Sequence, residues 1–297
     1  MSDAVSTFIS APDGLKLHVR CYGPRSAEAT VVCLPGLART AADFDVLARS
    51  LAGDAATPRR VLALDYRGRG LSDYDTDPSH YDFHVELADV LAVLAALDAM
   101  PAVFIGTSRG GILTMLLAVL RPTAIAGAVL NDIGPVIEPK GLMRIKGYVG
   151  KLPQPRDFEE GAEILRRLFS AQFPKLTTED WLAAARRGFK EENGRLVPTY
   201  DVRLADTMEG VNFDKPLPAL WPQFDALAHV PVMVIRGENS DLLMPATVEA
   251  MQARRPDLEK LEVPDQGHTP LLVEPDVIGR VADFVARCER AIPAVAR

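Results

Sequence analysis

Ser108 stands in the five residues Gly106-Thr107-Ser108-Arg109-Gly110, inside the longer run VFIGTSRGGILTML. An apolar segment stops at a small, polar, glycine-flanked serine and turns apolar again at once. A serine hydroxyl is a weak nucleophile by itself. It attacks a carbonyl carbon where a base takes its proton and a carboxylate holds that base. Five histidines are available: His18, His80, His84, His229 and His268. His268 lies in PDQGHTPLLVEP, a Gly/Pro-rich loop between the last expected strand and the last expected helix. His18 falls in an early strand and His229 in a loop before a strand. His80 and His84 are four apart at a helix start, a spacing that could hold a metal, but no third ligand is arranged with them.

Two acids compete for the base. Asp241, in IRGENSDLLMP, sits in a loop that also holds Glu238; Asp132 closes AIAGAVLND. Asp241 is favoured, because its loop can turn towards that of His268 and because the chain order Ser, acid, His fits it. Asp132 is the alternative acid.

The glycines around Ser108 have a steric task. A sharp strand-to-helix turn brings two backbones close together, and a side chain at Gly106 or Gly110 would collide there. Gly-x-Ser-x-Gly in this setting is a nucleophile elbow. It lifts the serine to the carboxyl edge of a sheet and points a helix amino end at it. A turn whose serine only caps the helix is the competing reading. The apolar flanks favour the elbow.

The remaining pattern must supply that sheet. LKLHVRCY alternates apolar and polar after the turn Pro12-Asp13-Gly14, with 7–9 as hairpin partner. TVVCL, RVLALD and AVFIG are apolar throughout, as strands buried on both faces are. AIAGAVLND, PVMVIRG and LEKLEV continue the series. Helical spacing appears over 42–51, 81–97, 110–120, 246–253 and 276–290. The fold class is therefore α/β: a mostly parallel, doubly wound sheet of about eight strands, with an antiparallel start. From 134 to 224 no convincing buried strand appears. Prolines, amphipathic segments and both tryptophans, Trp181 and Trp221, fall here. This stretch is expected to be a helical cap inserted into a core domain of 1–133 and 225–297. The last residues, 291–297, are expected to fray.

A chain of 297 residues with net charge −7 offers no basic stripe for nucleic acid. No apolar run reaches the about 18 residues of a membrane span, and the amino-terminal stretch does not read as a signal peptide. Cys21, Cys33 and Cys288 fit neither a disulfide framework nor a zinc spacing, so a reducing, cytoplasmic setting is expected. The partner expected is a small-molecule substrate, with no nucleic acid, membrane, metal or organic cofactor. Monomer and homodimer stay open.

Together, LPGLARTAADFDVLA, LDYRGRGLSD, GTSRGG, RGENSD and DQGHTPLLVEP resemble the α/β-hydrolase superfamily over nearly the whole chain. The resemblance implies a catalytic triad of Ser108, Asp241 and His268. It also implies an oxyanion hole from the backbone N–H groups of Leu37 and Arg109. Pro35-Gly36 stands where many members have His-Gly, and Arg109 is unusual beside the nucleophile; an acid such as Asp65 or Asp132 is its expected partner.

The activity expected is hydrolysis of a small or medium carboxylic ester or lactone through an acyl-enzyme. Trp181, Phe173, Leu142, Met143, Tyr148 and Trp221 are candidates to line an apolar pocket under the cap. One alternative is carbon–carbon bond hydrolysis of a dienoate, its carboxylate held by Arg109, Arg144 or Lys146. Another is a non-catalytic ligand-binding protein on the same fold.

Overall fold

The computed structural model describes residues 4–25, 27, 30–211 and 217–291. The tail beyond 291, where fraying is expected, lies outside them. The turn at Pro12-Asp13-Gly14, with Gly14 at φ 89°, reverses the chain between β1 (Val5–Ser10) and β2 (Lys16–Tyr22). These two pair antiparallel, with Ile9 opposite Leu17. The apolar runs form β3 (Thr30–Leu34), β4 (Arg60–Leu64), β5 (Ala102–Thr107) and β6 (Ile125–Asn131), every residue of them buried.

Helices α1 (Asp45–Ala52), α2 (Phe83–Ala96) and α3 (Arg109–Leu120) intervene. After β6 come α4 (Pro139–Tyr148), α5 (Phe158–Phe169), α6 (Thr178–Gly188) and a hairpin of β7 (Phe189–Glu192) and β8 (Arg195–Pro198), then α7 (Trp221–Asp225). The sheet resumes with β9 (Val232–Gly237), α8 (Pro245–Arg254), β10 (Glu259–Val263) and α9 (Pro275–Ala291).

Eight strands make one sheet in the order β1-β2-β4-β3-β5-β6-β9-β10, parallel from β4 onward. Alternation along the strands splits the core into two layers. Val32, Leu34 and Phe104 pack with Val90 and Val93 of α2 and Leu113 and Leu117 of α3. Val31, Cys33, Val103 and Ile105 pack on the other face with Leu47 of α1 and Val281 and Phe284 of α9. From β3 the chain moves one way to β4 and the other way to β5, so a crevice opens at the carboxyl ends of β3 and β5.

The insertion between β6 and β9 has its own small core of Leu165, Phe173, Trp181, Ala185 and Phe189. It contains a hairpin where the sequence pattern indicates only helices. The strands are four residues long and each has a single buried residue, so they carry no buried apolar run to read. Near its end, Phe224 is buried in the layer of α2 and α3. The insertion is tied to the body by Gly70 N–H to Thr199 O at 2.7 Å and Asp201 N–H to Gly68 O at 2.8 Å. Among the described residues no helix is long and apolar enough to cross a membrane.

Candidate active site

Ser108 is the one residue between β5 and α3, with φ 50° and ψ −111°, a conformation rare for a residue with a side chain. The flanking glycines are there because nothing larger fits. A Cβ on Gly106 would lie 2.5 Å from Gly110 O, and one on Gly110 would fall against Leu34, 2.6 Å from its carbonyl carbon. The strand-to-helix turn and the parallel neighbour β3 leave no space for either.

The loop after β10 brings His268 over the serine. Nε2 of His268 lies 2.9 Å from Ser108 Oγ, and Nδ1 lies 2.8 Å from Asp132 Oδ2. When Nδ1–H donates to the carboxylate, Nε2 is free to accept the serine proton. The His268 side chain is 5% exposed and that of Asp132 not at all, so the contact between them is shielded from water.

Asp132, not Asp241, therefore holds the imidazole, which corrects the sequence expectation. Asp132 follows β6 directly, at φ 55°. Its carboxylate also accepts from Gly237 N–H at 2.8 Å and from Ser240 Oγ at 2.6 Å. Ser240 Oγ in turn accepts from Leu242 N–H at 3.3 Å and Leu243 N–H at 3.2 Å. The loop after β9 thus turns Ser240 towards the histidine site and Asp241 towards the insertion. There Arg144 of α4 donates Nε and Nη2 to the two Asp241 oxygens, at 2.7 and 2.9 Å. Burial raises the Asp241 pKa, but the hydrogen bonds and charge of Arg144 outweigh it, and the carboxyl is held below its ordinary value.

Arg109 also differs from expectation. Its partner is Glu86 of α2, not Asp65 or Asp132. Arg109 Nε donates to Glu86 Oε2 at 2.5 Å and Nη2 donates to Tyr81 O at 3.0 Å. Glu86 Oε1 lies 2.7 Å from Arg69 Nη1, and both of those side chains are fully buried. Arg69 Nε donates to the Leu37 carbonyl at 2.9 Å. One buried carboxylate thus ties the start of α3 to the loop after β3. Glu86 shares the buried face of α2 with Val90 and Val93, a signal readable from its spacing, but nothing in that spacing names its partners. Asp65 is engaged elsewhere, by His18 Nδ1 at 2.7 Å and by Ala41 N–H at 2.7 Å.

Leu37 and Ser108 share a cleft of about 1040 Å³, open mouth included, with His268, Tyr148, Phe173 and Trp181. Leu142, Met143 and Trp221 are not in its wall; Met143 is 51% exposed and Trp221 packs edge-on against Phe224. His80 has acidic neighbours after all, Asp13 and Asp75. Arg67 Nη1 already lies 2.9 Å and 2.6 Å from those two carboxylates and supplies the charge a cation would bring.

A hydroxyl in line with an imidazole and a buried carboxylate is an arrangement that can deliver a serine oxygen to an electrophilic carbon. Comparison with known proteins agrees with hydrolysis. Residues 31–281 match the family model described as "Alpha/beta hydrolase family". The chain is 35% identical over 287 residues to the 3-hydroxybutyrate-oligomer hydrolase of Cupriavidus necator, covering 92% of this chain and 94% of the relative. It is 25% identical over 227 residues to the 2-(acetamidomethylene)succinate hydrolase of Mesorhizobium japonicum, covering 76% and 78%. The crystal structure of an alpha/beta hydrolase from Novosphingobium aromaticivorans superposes with TM-score 0.87 at 41% identity, covering 97% of this chain and 99% of that one. With the elbow, the eight-stranded sheet and these relatives in agreement, the chain belongs to the alpha/beta hydrolase family and is a hydrolase.

Proposed function

We propose that this hydrolase cleaves a small or medium carboxylic ester through an acyl-enzyme on Ser108. The observation that carries the reading is His268 hydrogen-bonded at once to Ser108 Oγ and to the buried Asp132 carboxylate. Ser108 Oγ attacks the carbonyl carbon while His268 Nε2 takes its proton. Asp132 holds the imidazole in the required tautomer and stabilises its cation. The tetrahedral oxygen is held by the backbone N–H groups of Leu37 and Arg109, each giving about 3–4 kcal/mol to the transition state. His268 returns its proton to the leaving alkoxide. Water, with its proton taken by the same nitrogen, then splits the acyl-enzyme.

The apolar wall of Phe173, Trp181 and Tyr148 suits an acyl or alkyl chain of modest length. The insertion acts as a cap over it. The named relative from Cupriavidus necator supports an ester as the bond cleaved, because hydroxy acids form oligomers through ester bonds. The carbon–carbon reading loses two of its three candidate carboxylate holders, since Glu86 occupies Arg109 and Asp241 occupies Arg144. The buried thiols of Cys33 and Cys288 fit the reducing cytoplasm as the place of work.

The test is a panel of p-nitrophenyl esters from acetyl to decanoyl, with wild type and Ser108→Ala, beside labelling by a fluorophosphonate. Turnover and labelling that both vanish in the variant support the mechanism. A wild type that neither labels nor turns over any ester refutes it.

A further inference from the structure

We propose that Arg39 and Arg187 form a carboxylate-binding subsite beside Ser108, so that the preferred substrate is an ester carrying a free carboxylate. This deepens the ester-hydrolase reading and rests on it. Arg39 lies two residues past Leu37. A Cβ built on Gly36 would be 3.4 Å from Arg39 Cγ and 3.8 Å from Ser108 Cβ, which puts the arginine stem next to the nucleophile. Arg187 comes from the other side, at the carboxyl end of α6. The body of the enzyme and the insertion each contribute one guanidinium.

Both cations share one acid. Arg39 Nε lies 3.4 Å from Asp43 Oδ2, and Arg187 Nε lies 3.4 Å from Asp43 Oδ1. The bonds that hold Arg144 and Arg67 to their carboxylates are shorter, at 2.7 Å. Two guanidinium groups loosely set on a single carboxylate leave one positive charge without its own anion. Burial pushes the Arg187 pKa down and the charge of Arg39 adds to this; Asp43 opposes it, with a smaller contribution from Asp45, which is itself paired with Arg20. An arriving anion relieves that repulsion.

The space exists. A small pocket of about 360 Å³, mouth included, is walled by Arg39, Asp43, Arg187 and Asn131. It shares Gly36, Arg39, Thr107, Thr269 and Leu271 with the catalytic cleft. A substrate can therefore lie with its scissile ester at Ser108, its apolar part against Phe173 and Trp181, and its carboxylate between the two arginines. A bidentate fork suits this task, since guanidinium matches carboxylate geometry. A short, linear chain of ester-linked hydroxy acids, which ends in a carboxylate, has this form.

The experiment compares the free acid of the linear dimer of 3-hydroxybutyrate with its methyl ester, following cleavage of the internal ester, with p-nitrophenyl butyrate as an uncharged reference. The readout is the ratio of kcat/KM for the acid to that for the methyl ester. Wild type is expected to prefer the acid. Arg39→Gln and Arg187→Gln are each expected to lower the ratio by about 10–100-fold, mostly in KM, as loss of a charged hydrogen bond does. Asp43→Asn frees both guanidinium groups and is expected to raise it, an opposite change that a misfolded variant cannot mimic. A wild-type ratio near one, or a ratio that neither arginine variant moves, overturns the subsite while turnover of p-nitrophenyl butyrate leaves the ester-hydrolase reading standing. Failure of wild type on all three esters overturns that reading and the subsite with it.

Discussion

Asp132→Asn and Asp241→Asn separate the two candidate acids. The Asp132 carboxylate accepts three hydrogen bonds, from Gly237 N–H, Ser240 Oγ–H and His268 Nδ1–H. Asparagine keeps the shape but offers a single oxygen. With that oxygen on Gly237 N–H, the new amide NH₂ faces His268 Nδ1 and turns it into an acceptor. The ring proton then moves to Nε2, which can no longer accept from Ser108. A tautomer error of this kind costs about 10⁴-fold in kcat, about 5.4 kcal/mol at 1.36 kcal/mol per decade. Asp241→Asn leaves the histidine contacts intact and breaks a pair whose side chains are 16% and 23% exposed. Its expected cost is below tenfold in kcat, with about 1–3 kcal/mol of stability lost through the charged hydrogen bonds. The assay is steady-state and burst kinetics on p-nitrophenyl butyrate, with a urea melt of each variant. An Asp132→Asn enzyme that keeps more than a tenth of wild-type kcat would refute the reasoning. So would an Asp241→Asn enzyme that falls as far as Asp132→Asn.

Three further outcomes are expected. The Asp241–Arg144 pair joins α4 to the loop after β9, and the folded pKa of Asp241 is depressed. Its stabilisation is therefore complete above the ordinary carboxyl value of about 3.9 and is lost as pH falls through the lower, folded one; wild type should lose more Tm than Asp241→Asn between pH 5 and pH 2. Glu86→Gln leaves Arg69 and Arg109 buried without their anion, so it should cost about 3–5 kcal/mol in urea unfolding. Because Glu86 ties the Leu37 loop to the start of α3, kcat should fall while KM hardly changes; a change confined to stability would show that Glu86 does not position the oxyanion donors. Burial raises the thiol of Cys33 and pushes that of Cys288 up to about 12. Neither should react with Ellman's reagent in the native protein at pH 8, and all three cysteines should react in guanidinium chloride.

The sequence by itself determined the parts of this enzyme that rest on local rules. Short apolar runs rich in β-branched residues and alternating with helical patterns read as strands covered on both faces, so β3 to β6 were legible, as was the parallel sheet they imply. Ser108 was legible because Gly106 and Gly110 mark a turn where two backbones leave no room for a side chain. His268 was legible because a loop after the last strand ends at the same edge of the sheet.

Which carboxylate meets His268 was not, and the reason is geometric. Ser108, Asp132 and His268 follow the same chain order as Ser108, Asp241 and His268, so order along the chain cannot choose between them. The choice is made where Ser240 and Gly237 N–H turn towards Asp132 and Arg144 draws Asp241 to the other side. Those are contacts between segments about a hundred residues apart, and no periodicity encodes them. Packing likewise decides that Glu86 meets Arg69 and Arg109 and that Asp43 meets Arg187, whereas Arg39 and Asp43, four residues apart, are a local pair. Sequence patterns record which face a side chain occupies. Which charge it meets there is decided by packing, because a charge taken out of water must find its partner wherever the fold brings one.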